Sequence, residues 1–413
     1  MPANRIARCT HLQNALTLLA ALPESSQRNE LELQLQHALG NVLIAVKGFG
    51  AAETGRAFGR ALELCNKFKG AQQTTTVVNG IIGFHLMREE FEQAGILAQS
   101  LLAPNARQDD AMKRLLGHRA LGMSLFYMGE LKAAGQQLHA AIELYDVTPQ
   151  GPLATVFSQD QKATAQVYLA VTSVLLNDIT GGLALGRSAV AYAEQLRHPH
   201  TLAYVLAFLA GAYGLSSMPD AVGPVAERAI ELSREHGFPL WLAGGRLWRG
   251  WAQVELGNAD EGLAEIRLSM VALEATGALP WVRFARYLLA DALAKTGQLR
   301  EAAQLLDQAL TSLSGTSGRW YEAELHRLRG DVLRGSNDSS SAEGCYERAI
   351  TIAERQGALL WQLRAANSLA ALWHVQGKDL QAHDRLAALC AGLDDNVVST
   401  ELQRAKELLA ATS

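Results

Sequence analysis

Small and apolar residues recur along the chain with a period of 40 residues, and each period predicts a pair of helices. One small residue marks the middle of each predicted first helix: Ala170, Ala210, Gly250, Ala290, Gly330 and Ala370. An earlier pair, Ile82 and Gly122, keeps the same interval. Around most of these positions, Leu stands one residue earlier and Gly or Asn stands seven residues later. Self-similarity at a fixed period indicates a stacked repeat protein.

The segment 281–313 shows how one period folds. Phe284, Tyr287 and Leu288 follow the 3–4 spacing that places apolar side chains on one side of a helix. Gly297 then predicts a turn, because glycine readily adopts the left-handed conformation that ends a helix. A second apolar stripe follows, in which the small residue Ala302 allows two helices to pack closely. The pattern predicts about nine such pairs in an all-α, right-handed solenoid.

The connections between pairs also repeat. Gly is followed by an apolar stretch and Trp in 237–241, 277–281 and 357–361, and 318–320 is a shortened version. The glycine is expected to end one pair and the tryptophan to open the next. We expect these tryptophans to seal the seams between units. The alternative, an aromatic ligand cage, requires the rings to converge on one place.

The chain is predicted to form a single array over 1–413. Its expected parts are irregular N-terminal units (1–68), regular units (71–145), a long loop (146–161), regular 40-residue units (162–390) and a C-terminal capping helix (398–411). The loop interrupts the period by eight residues and contains Pro149, Gly151 and Pro152. Long loops on repeat arrays often lie on functional faces, but the role of this one stays open. The capping helix is expected to direct Glu401, Arg404, Lys406 and Glu407 outward.

Composition excludes several classes of function. Hydrophobic residues make up 49% of the chain, which is ample for a buried spine. A net charge of −4 argues against a nucleic-acid-binding surface, which is normally basic. No apolar stretch reaches the roughly 18 residues that a membrane-spanning helix needs. The four cysteines lie far apart, without zinc-site spacing, so we expect reduced thiols and a cytoplasmic protein.

One unit carries the skeleton of the tetratricopeptide repeat (TPR), with Leu121-Gly122, Gly129, Ala134 and Ala141 at the expected places. Longer segments resemble the C-terminal repeat region of multidomain bacterial signalling proteins. These segments are KGFGAAETGRAFGRALELC (47–65), GFPLWLAGGRLWRGWAQVELGNADEGLAEIR (237–267), RWYEAELHRLRGDVL (319–333) and ERAITIAERQGALLWQLRAANSLAALWHVQGK (347–378). In that family, a class III adenylate or guanylate cyclase and a predicted signalling ATPase precede the array. The resemblance implies a TPR-like superhelix without a catalytic role.

The chain departs from that family in two ways. It contains no G-x-x-x-x-G-K-[ST] phosphate loop, and it begins at Met1 just ahead of the repeats. Where the family usually shows an Asp-Pro-Gly stretch, this chain has 158–162 with the sequence SQDQK. Two alternatives stay open, a free-standing array and a fragment of a longer protein.

Catalytic and metal-binding motifs do not emerge from the sequence. There is no H-E-x-x-H and no G-x-S-x-G. Glu322 and His326 share one predicted helical face, but such pairs are common on solvated helices. His198 and His200 flank a proline in a predicted connection, which is a poor start for a metal site. We therefore expect no enzyme activity, no cofactor and no metal.

The first helices of successive units are expected to line a concave face. The positions that recur at the repeat interval in these helices are mostly aromatic in the middle of the chain and mostly charged toward its C-terminus. Such a surface suits a peptide, because rings bury apolar side chains and guanidinium groups hold carboxylates. The alternative is that the rings only pack between units and the charges pair with each other. The candidate partner-binding residues are Arg119, Phe126, Tyr204, Trp251, Phe284, Tyr287, Asp291, Arg327, Asp331, Arg334, Arg364 and Asn367.

Two functions are compatible with these patterns. The first is a non-catalytic protein-interaction or scaffold module of a bacterial signalling system, which binds a peptide or partner protein on the concave face. The second is a ligand-sensing array that controls a signalling ATPase or nucleotide cyclase. Neither nucleic acid nor a membrane is expected as a partner, and the oligomeric state stays open.

Overall fold

The computed structural model describes residues 2–67, 74–103, 111–147, 159–391, 393 and 399–412. Over these residues the chain forms twenty helices and no strand. The helices are α1 (Pro2–Ala20), α2 (Ser26–Lys47), α3 (Ala52–Lys67), α4 (Thr74–Met87), α5 (Phe91–Leu102), α6 (Ala111–Met128), α7 (Leu131–Val147), α8 (Gln161–Leu175), α9 (Ile179–Gln195), α10 (Pro199–Leu215), α11 (Pro219–His236), α12 (Pro239–Glu255), α13 (Ala259–Thr276), α14 (Leu279–Lys295), α15 (Leu299–Leu313), α16 (Glu322–Gly335), α17 (Ser339–Gln356), α18 (Leu359–Val375), α19 (Asp379–Cys390) and α20 (Thr400–Ala411).

Helices α2 to α19 form nine successive pairs, which stack into an all-α solenoid. Helix α1 precedes the first pair, and α20 packs on the last one. One buried apolar cluster runs from Val78 to Trp361, and a second continues from Ala342 to Ala405. A continuous spine of this kind is what stacked repeats produce, because each unit buries its apolar face only against its neighbours.

The turn inside each regular pair contains one residue with positive φ. The predicted Gly and Asn positions are confirmed: Gly129, Asn177, Gly257, Gly297, Asn337 and Gly377 have φ between 66° and 92°. Glu89 and Ser217 occupy the equivalent turns of two other pairs, with φ of 63° and 57°. A non-glycine residue pays a conformational cost there, so these two positions deserve a structural explanation.

Glu89 and Ser217 both make contacts across one turn of the superhelix. The Glu89 carboxylate forms an ion pair with Nε of Arg283 at 2.5 Å. Burial raises the pKa of Glu89 to about 7, although the charge of Arg283 opposes this shift. The Ser217 hydroxyl accepts a hydrogen bond from Arg364 at 3.3 Å, over 147 residues of sequence. The strained turns therefore hold distant parts of the chain together.

Other contacts show that the superhelix closes tightly on itself. The backbone N–H of Arg319 donates to the carbonyl of Tyr127 at 2.8 Å. A Cβ atom added to Gly50 would lie 2.0 Å from the carbonyl oxygen of Gly277, so two backbones touch at this point. The concave face is consequently an interior space rather than the open groove that the sequence suggested.

Substituting Gly50 with alanine should loosen this contact, because the new methyl group meets backbone that has no room to move. We expect a loss of roughly 1–3 kcal/mol in unfolding free energy, typical of overpacking, and a larger radius of gyration in small-angle X-ray scattering. Gly59 is the matched control, since a Cβ there meets nothing within 4 Å. An unchanged radius of gyration in the Gly50→Ala variant would show that the superhelix does not depend on this contact.

The predicted loop 146–161 lies mostly outside the described residues, which resume at Gln159 after α7 ends at Val147. The polar turn around Ser336 is short, and Asp338 caps α17 by accepting from the N–H of Ser341 at 3.1 Å. The division of the chain into the parts predicted from the sequence stays a prediction.

Candidate functional site

Four first helices, α12, α14, α16 and α18, surround a polar cavity of about 520 Å³ inside the C-terminal half of the superhelix. Because the repeat interval is 40 residues, equivalent positions form columns along the cavity wall. One column is Trp251, Asp291 and Asp331, and a second is Tyr287, Arg327 and Asn367. Arg334 and Arg364 also line this space. The structure thus brings eight of the twelve predicted residues together: Trp251, Tyr287, Asp291, Arg327, Asp331, Arg334, Arg364 and Asn367.

A buried carboxylate organises the cavity floor. Glu324 is fully buried and accepts hydrogen bonds from Nε of Arg327 at 2.8 Å, from Arg364 at 3.1 Å and from the Tyr287 hydroxyl at 3.1 Å. Burial disfavours its charged form, but the two guanidinium groups outweigh burial and hold the pKa of Glu324 below its ordinary value. The ionised group therefore has three donors, as a buried charge requires.

Arg364 connects this floor to two other helices, α20 and α10. Its Nε pairs with Glu401 of α20 at 2.6 Å, and it donates to the carbonyl of Leu215, 149 residues earlier, at 3.0 Å. Its guanidinium lies 5.0 Å from the ring centroid of Trp361. Arg364 thus joins several parts of the structure. A ligand that contacts Arg364 would affect both the packing of α20 and the contact that closes the superhelix.

The expectation that Glu401 points outward is wrong. The residue is 8% exposed, and its backbone carbonyl accepts from Nδ2 of Asn367 at 2.8 Å. The physical reason is that α20 packs this edge against α18, where Arg364 offers a counter-charge. The other three side chains of that prediction, Arg404, Lys406 and Glu407, are exposed.

The acidic groups of the cavity all have basic partners. Asp291 pairs with Lys295 at 2.8 Å, Glu255 pairs with the same lysine, and Asp331 pairs with Arg327. In contrast, Arg334 and Arg404 line the cavity and form no ion pair within the described chain. Both are exposed, so their guanidinium groups remain free to bind an anion.

Phe126 and Phe284 lie elsewhere, in a ring cluster that fills the centre of the superhelix. The ring of Trp320 lies 5.1 Å from that of Phe126 and 4.9 Å from that of Phe284. Both phenylalanines are buried, at 3% and 4% exposure. Phe208, Trp248 and Trp281 complete the ring cluster around a space of only about 50 Å³. These rings pack between turns, and their contact with a partner stays a prediction.

The tryptophans at the predicted seams are buried, as seals between units would be, and two of them, Trp281 and Trp320, also converge in the ring cluster. The four residues are Trp241, Trp281, Trp320 and Trp361. Nε1 of Trp361 donates to the carbonyl of Trp320 at 3.3 Å, and Nε1 of Trp241 donates to His200 at 3.0 Å. Each of these bonds joins residues 41 apart, so the seam contacts repeat with the units.

Arg119 and Tyr204 line a third space, at the other side of the ring cluster, in the N-terminal half. This chamber shares Phe208 and Trp281 with the ring cluster, whereas the large cavity shares Trp248 with it. The concave interior is therefore divided into two polar spaces with an aromatic block between them.

The histidines considered in the sequence analysis have other partners in the described ranges. No group of three or more His, Cys, Asp or Glu side chains there could hold a metal ion. His326 receives a hydrogen bond from Arg348 at 3.1 Å rather than acting with Glu322. Burial, assisted by Arg348, lowers the pKa of His326 to about 4. His198 accepts from the N–H of Thr201 and so caps α10.

Within the described residues, no helix is long and apolar enough to cross a bilayer.

Sequence reasoning missed three groups of the cavity, namely Lys295, Glu255 and Arg404. The 40-residue interval of the repeat could have predicted these residues. Arg404 continues the column of Glu324 and Arg364 at the same 40-residue interval, although it belongs to the capping helix. Lys295 and Glu255 form a column of their own, and their ion pair spans 40 residues.

The chain is similar to one distant relative in sequence and to several solved structures in fold. No family model matches the chain. An uncharacterized protein of Rhizobium meliloti (strain 1021), R02095, is 22% identical over 369 residues. That alignment covers 89% of this chain but 36% of the relative, so the chain spans about a third of the relative's length.

Solved structures of similar fold are TPR-like helical repeat proteins. A Rap protein complexed with competence and sporulation factor has a TM-score of 0.61 and 13% identity, covering 94% of this chain and 100% of that one. The Rap conjugation gene regulator of plasmid pLS20, solved with the Phr* peptide, has a TM-score of 0.52 and 12% identity, covering 92% and 96%. The Cut9–Hcn1 assembly of APC/C gives 0.54 and 12%, covering 92% and 63%. At such identities the likeness shows a TPR-like solenoid fold and nothing finer.

Proposed function

We propose that this chain is a non-catalytic interaction module that binds a carboxylate-bearing peptide, or an equivalent segment of a partner protein, in the large polar cavity. The observation that carries the proposal is the pair of arginines, Arg334 and Arg404, which line the cavity and form no ion pair with any residue that the structure describes. Every acidic group beside them already has a basic partner. An incoming carboxylate therefore finds donors that no internal group satisfies.

The rest of the wall suits a peptide in the same way. Trp251 is 6% exposed and offers an apolar surface beside the charged columns, so one apolar side chain of the ligand can be buried there. Polar groups repeat along the wall at the spacing of the helix pairs, which favours an extended ligand over a compact one. The Rap regulator solved with the Phr* peptide supports the idea that a fold of this type can hold a peptide.

The biological setting belongs to the same proposal. The bacterial relative is about three times the aligned length, which supports a role as one region of a longer protein. From the sequence resemblance alone we propose a nucleotide cyclase or signalling ATPase as the partner class and the cytoplasm as the compartment. A sensing variant is favoured by one contact: Arg364, on the cavity wall, also bonds to Leu215 across the superhelical turn. A ligand that binds Arg364 would weaken its bond to Leu215 and so alter the closure of the superhelix. This change in shape would transmit binding to a partner.

The test begins with selection of peptides from a random library that includes free C-terminal carboxylates, with the purified chain as bait. Affinity for a selected peptide is then measured by calorimetry in the Arg334→Gln/Arg404→Gln double variant. Hydrogen bonds to charged groups are worth about 1.5–3 kcal/mol each, so we expect affinity to fall at least about 10-fold. Arg385→Gln is the matched control, because Arg385 is exposed on α19 and outside the cavity.

Equal affinity in the double variant and the wild type would contradict the proposal that Arg334 and Arg404 bind a carboxylate of the peptide. Loss of affinity in Arg385→Gln as well would point to general electrostatic attraction rather than to the cavity. Circular dichroism of each variant shows whether the helices remain intact.

A further inference from the structure

Arg119 is a buried guanidinium without a counter-charge. It lies on α6, is 7% exposed and forms no ion pair within the described residues. Its two acceptors are weak or neutral: the thioether of Met123 at 3.2 Å, and the amide oxygen of Asn79. Burial lowers the pKa of Arg119 to about 10, which still leaves the group charged at neutral pH. The other buried arginine of the described residues, Arg327, is paired with the carboxylate of Glu324.

The surroundings of Arg119 are unusually rich in donors that lack an acceptor. Nε of Arg119 itself has no partner, nor has Nε2 of Gln159. The Tyr204 hydroxyl lies near Thr164 but has no partner at hydrogen-bonding geometry. One acceptor, Oε1 of Gln161, is also unsatisfied. Buried polar groups are almost always paired, so a cluster of unpaired donors around a cation calls for an anion.

The available space limits what that anion can be. Arg119, Gln159, Gln161, Tyr168 and Tyr204 line a chamber of about 50 Å³. By this measure a cavity needs about 10–15 Å³ to hold one water molecule, so the chamber admits a group of only a few non-hydrogen atoms. The ring cluster separates it from the large cavity, because Phe208 and Trp281 form part of its wall.

We propose that this chamber is a second binding site, which takes the carboxylate of a small monocarboxylic acid and holds it against Arg119. The guanidinium supplies the charge, and Tyr204 and Gln159 supply further donors. Gln161 is left to accept from a hydroxyl or amine on the ligand. Phe208 and Trp281 bound the site and exclude larger molecules. This proposal is independent of peptide binding in the large cavity.

A binding role for Arg119 would also explain why the protein buries an unpaired charge that destabilises the folded state. A buried charge without a partner is destabilising, and replacing it with an apolar side chain of similar volume is often neutral or stabilising. If Arg119 served only packing, its replacement would instead destabilise the protein. The response of the ligand-free protein to substitution therefore separates a binding role from a structural one.

The experiment is thermal unfolding of the full chain with sodium acetate or sodium chloride at equal ionic strength and pH. For the wild type we expect acetate, raised to saturation, to increase Tm by about 2–4 °C over chloride, the size expected at a ligand concentration near 100 Kd. The Arg119→Met variant should lose this difference while its own Tm, without acetate, equals or exceeds that of the wild type. Arg334→Met, in the other cavity, should keep the difference.

Equal Tm in acetate and chloride for the wild type would overturn the proposal, as would an acetate effect that persists in Arg119→Met. If Arg119→Met does not fold, Tyr204→Phe serves in its place, since it removes one donor and keeps the ring. No peptide is present in these measurements, so their result is separate from the test of the large cavity.

Discussion

Replacing Glu324 with alanine is expected to lower the unfolding free energy by about 3–5 kcal/mol, the usual cost of removing one partner from a buried ion pair. The carboxylate is fully buried, and its loss leaves the guanidinium groups of Arg327 and Arg364 without their shared acceptor. Urea denaturation followed by far-UV circular dichroism gives the value. Hydrogen exchange of α16 and α18 shows whether the loss is local.

The matched control for Glu324 is Glu301→Ala. Glu301 pairs with Arg267 at 2.9 Å, but both side chains are close to half exposed, at 46% and 44%. Exposed pairs contribute about 0–1 kcal/mol, so this variant should be nearly neutral. Similar losses for the two variants would mean that burial of the Glu324 network contributes nothing special.

Replacing Trp320 with alanine should have an effect of comparable size, about 3–5 kcal/mol for a large buried aromatic. Trp320 contacts Phe126 from one superhelical turn and Phe284 from the next, so its loss opens the ring cluster. We also expect faster hydrogen exchange in both α6 and α14, because the ring joins them. The measurement is thermal and urea unfolding together with exchange mass spectrometry.

Trp320→Phe tests the same interpretation from the other side. It retains a ring between Phe126 and Phe284, so it should recover most of the stability that alanine loses. If exchange in α6 stays at the wild-type rate in Trp320→Ala, the two superhelical turns are held together by other contacts and the role given to the ring cluster is wrong.

The repeat period predicted local structure well, because its signals are local. Glycine and asparagine mark turns by their conformational freedom, and positive φ was found where they were expected. Glu89 and Ser217 escaped notice because nothing in their residue types predicts a left-handed backbone. Their turns are explained by partners far along the chain, Arg283 and Arg364.

The cavity was predicted in part for the same reason. Columns such as Tyr287, Arg327 and Asn367 follow from the period alone. Closure of the superhelix did not, because it depends on the small rotation added at each unit, which accumulates over the array. That closure buried Phe126 and Phe284 in the ring cluster and isolated Arg119 in its own chamber.

The structure also changes which variants can report on binding. Arg327 seemed from the sequence to be a natural choice, but it holds Glu324 at 2.8 Å inside the buried network. Its substitution would disturb the fold and the cavity together. Arg334 and Arg404 are exposed and form no ion pair within the described part of the chain, so their substitution changes the binding surface and little else.

The most direct test of the proposed function is a crystal structure of the chain with a peptide selected for binding. We predict that a carboxylate of the peptide lies within hydrogen-bonding distance of Arg334 or Arg404, with an apolar side chain against Trp251. A peptide bound on the outer face of the superhelix, with both arginines unoccupied, would contradict the assignment of the large cavity as the binding site.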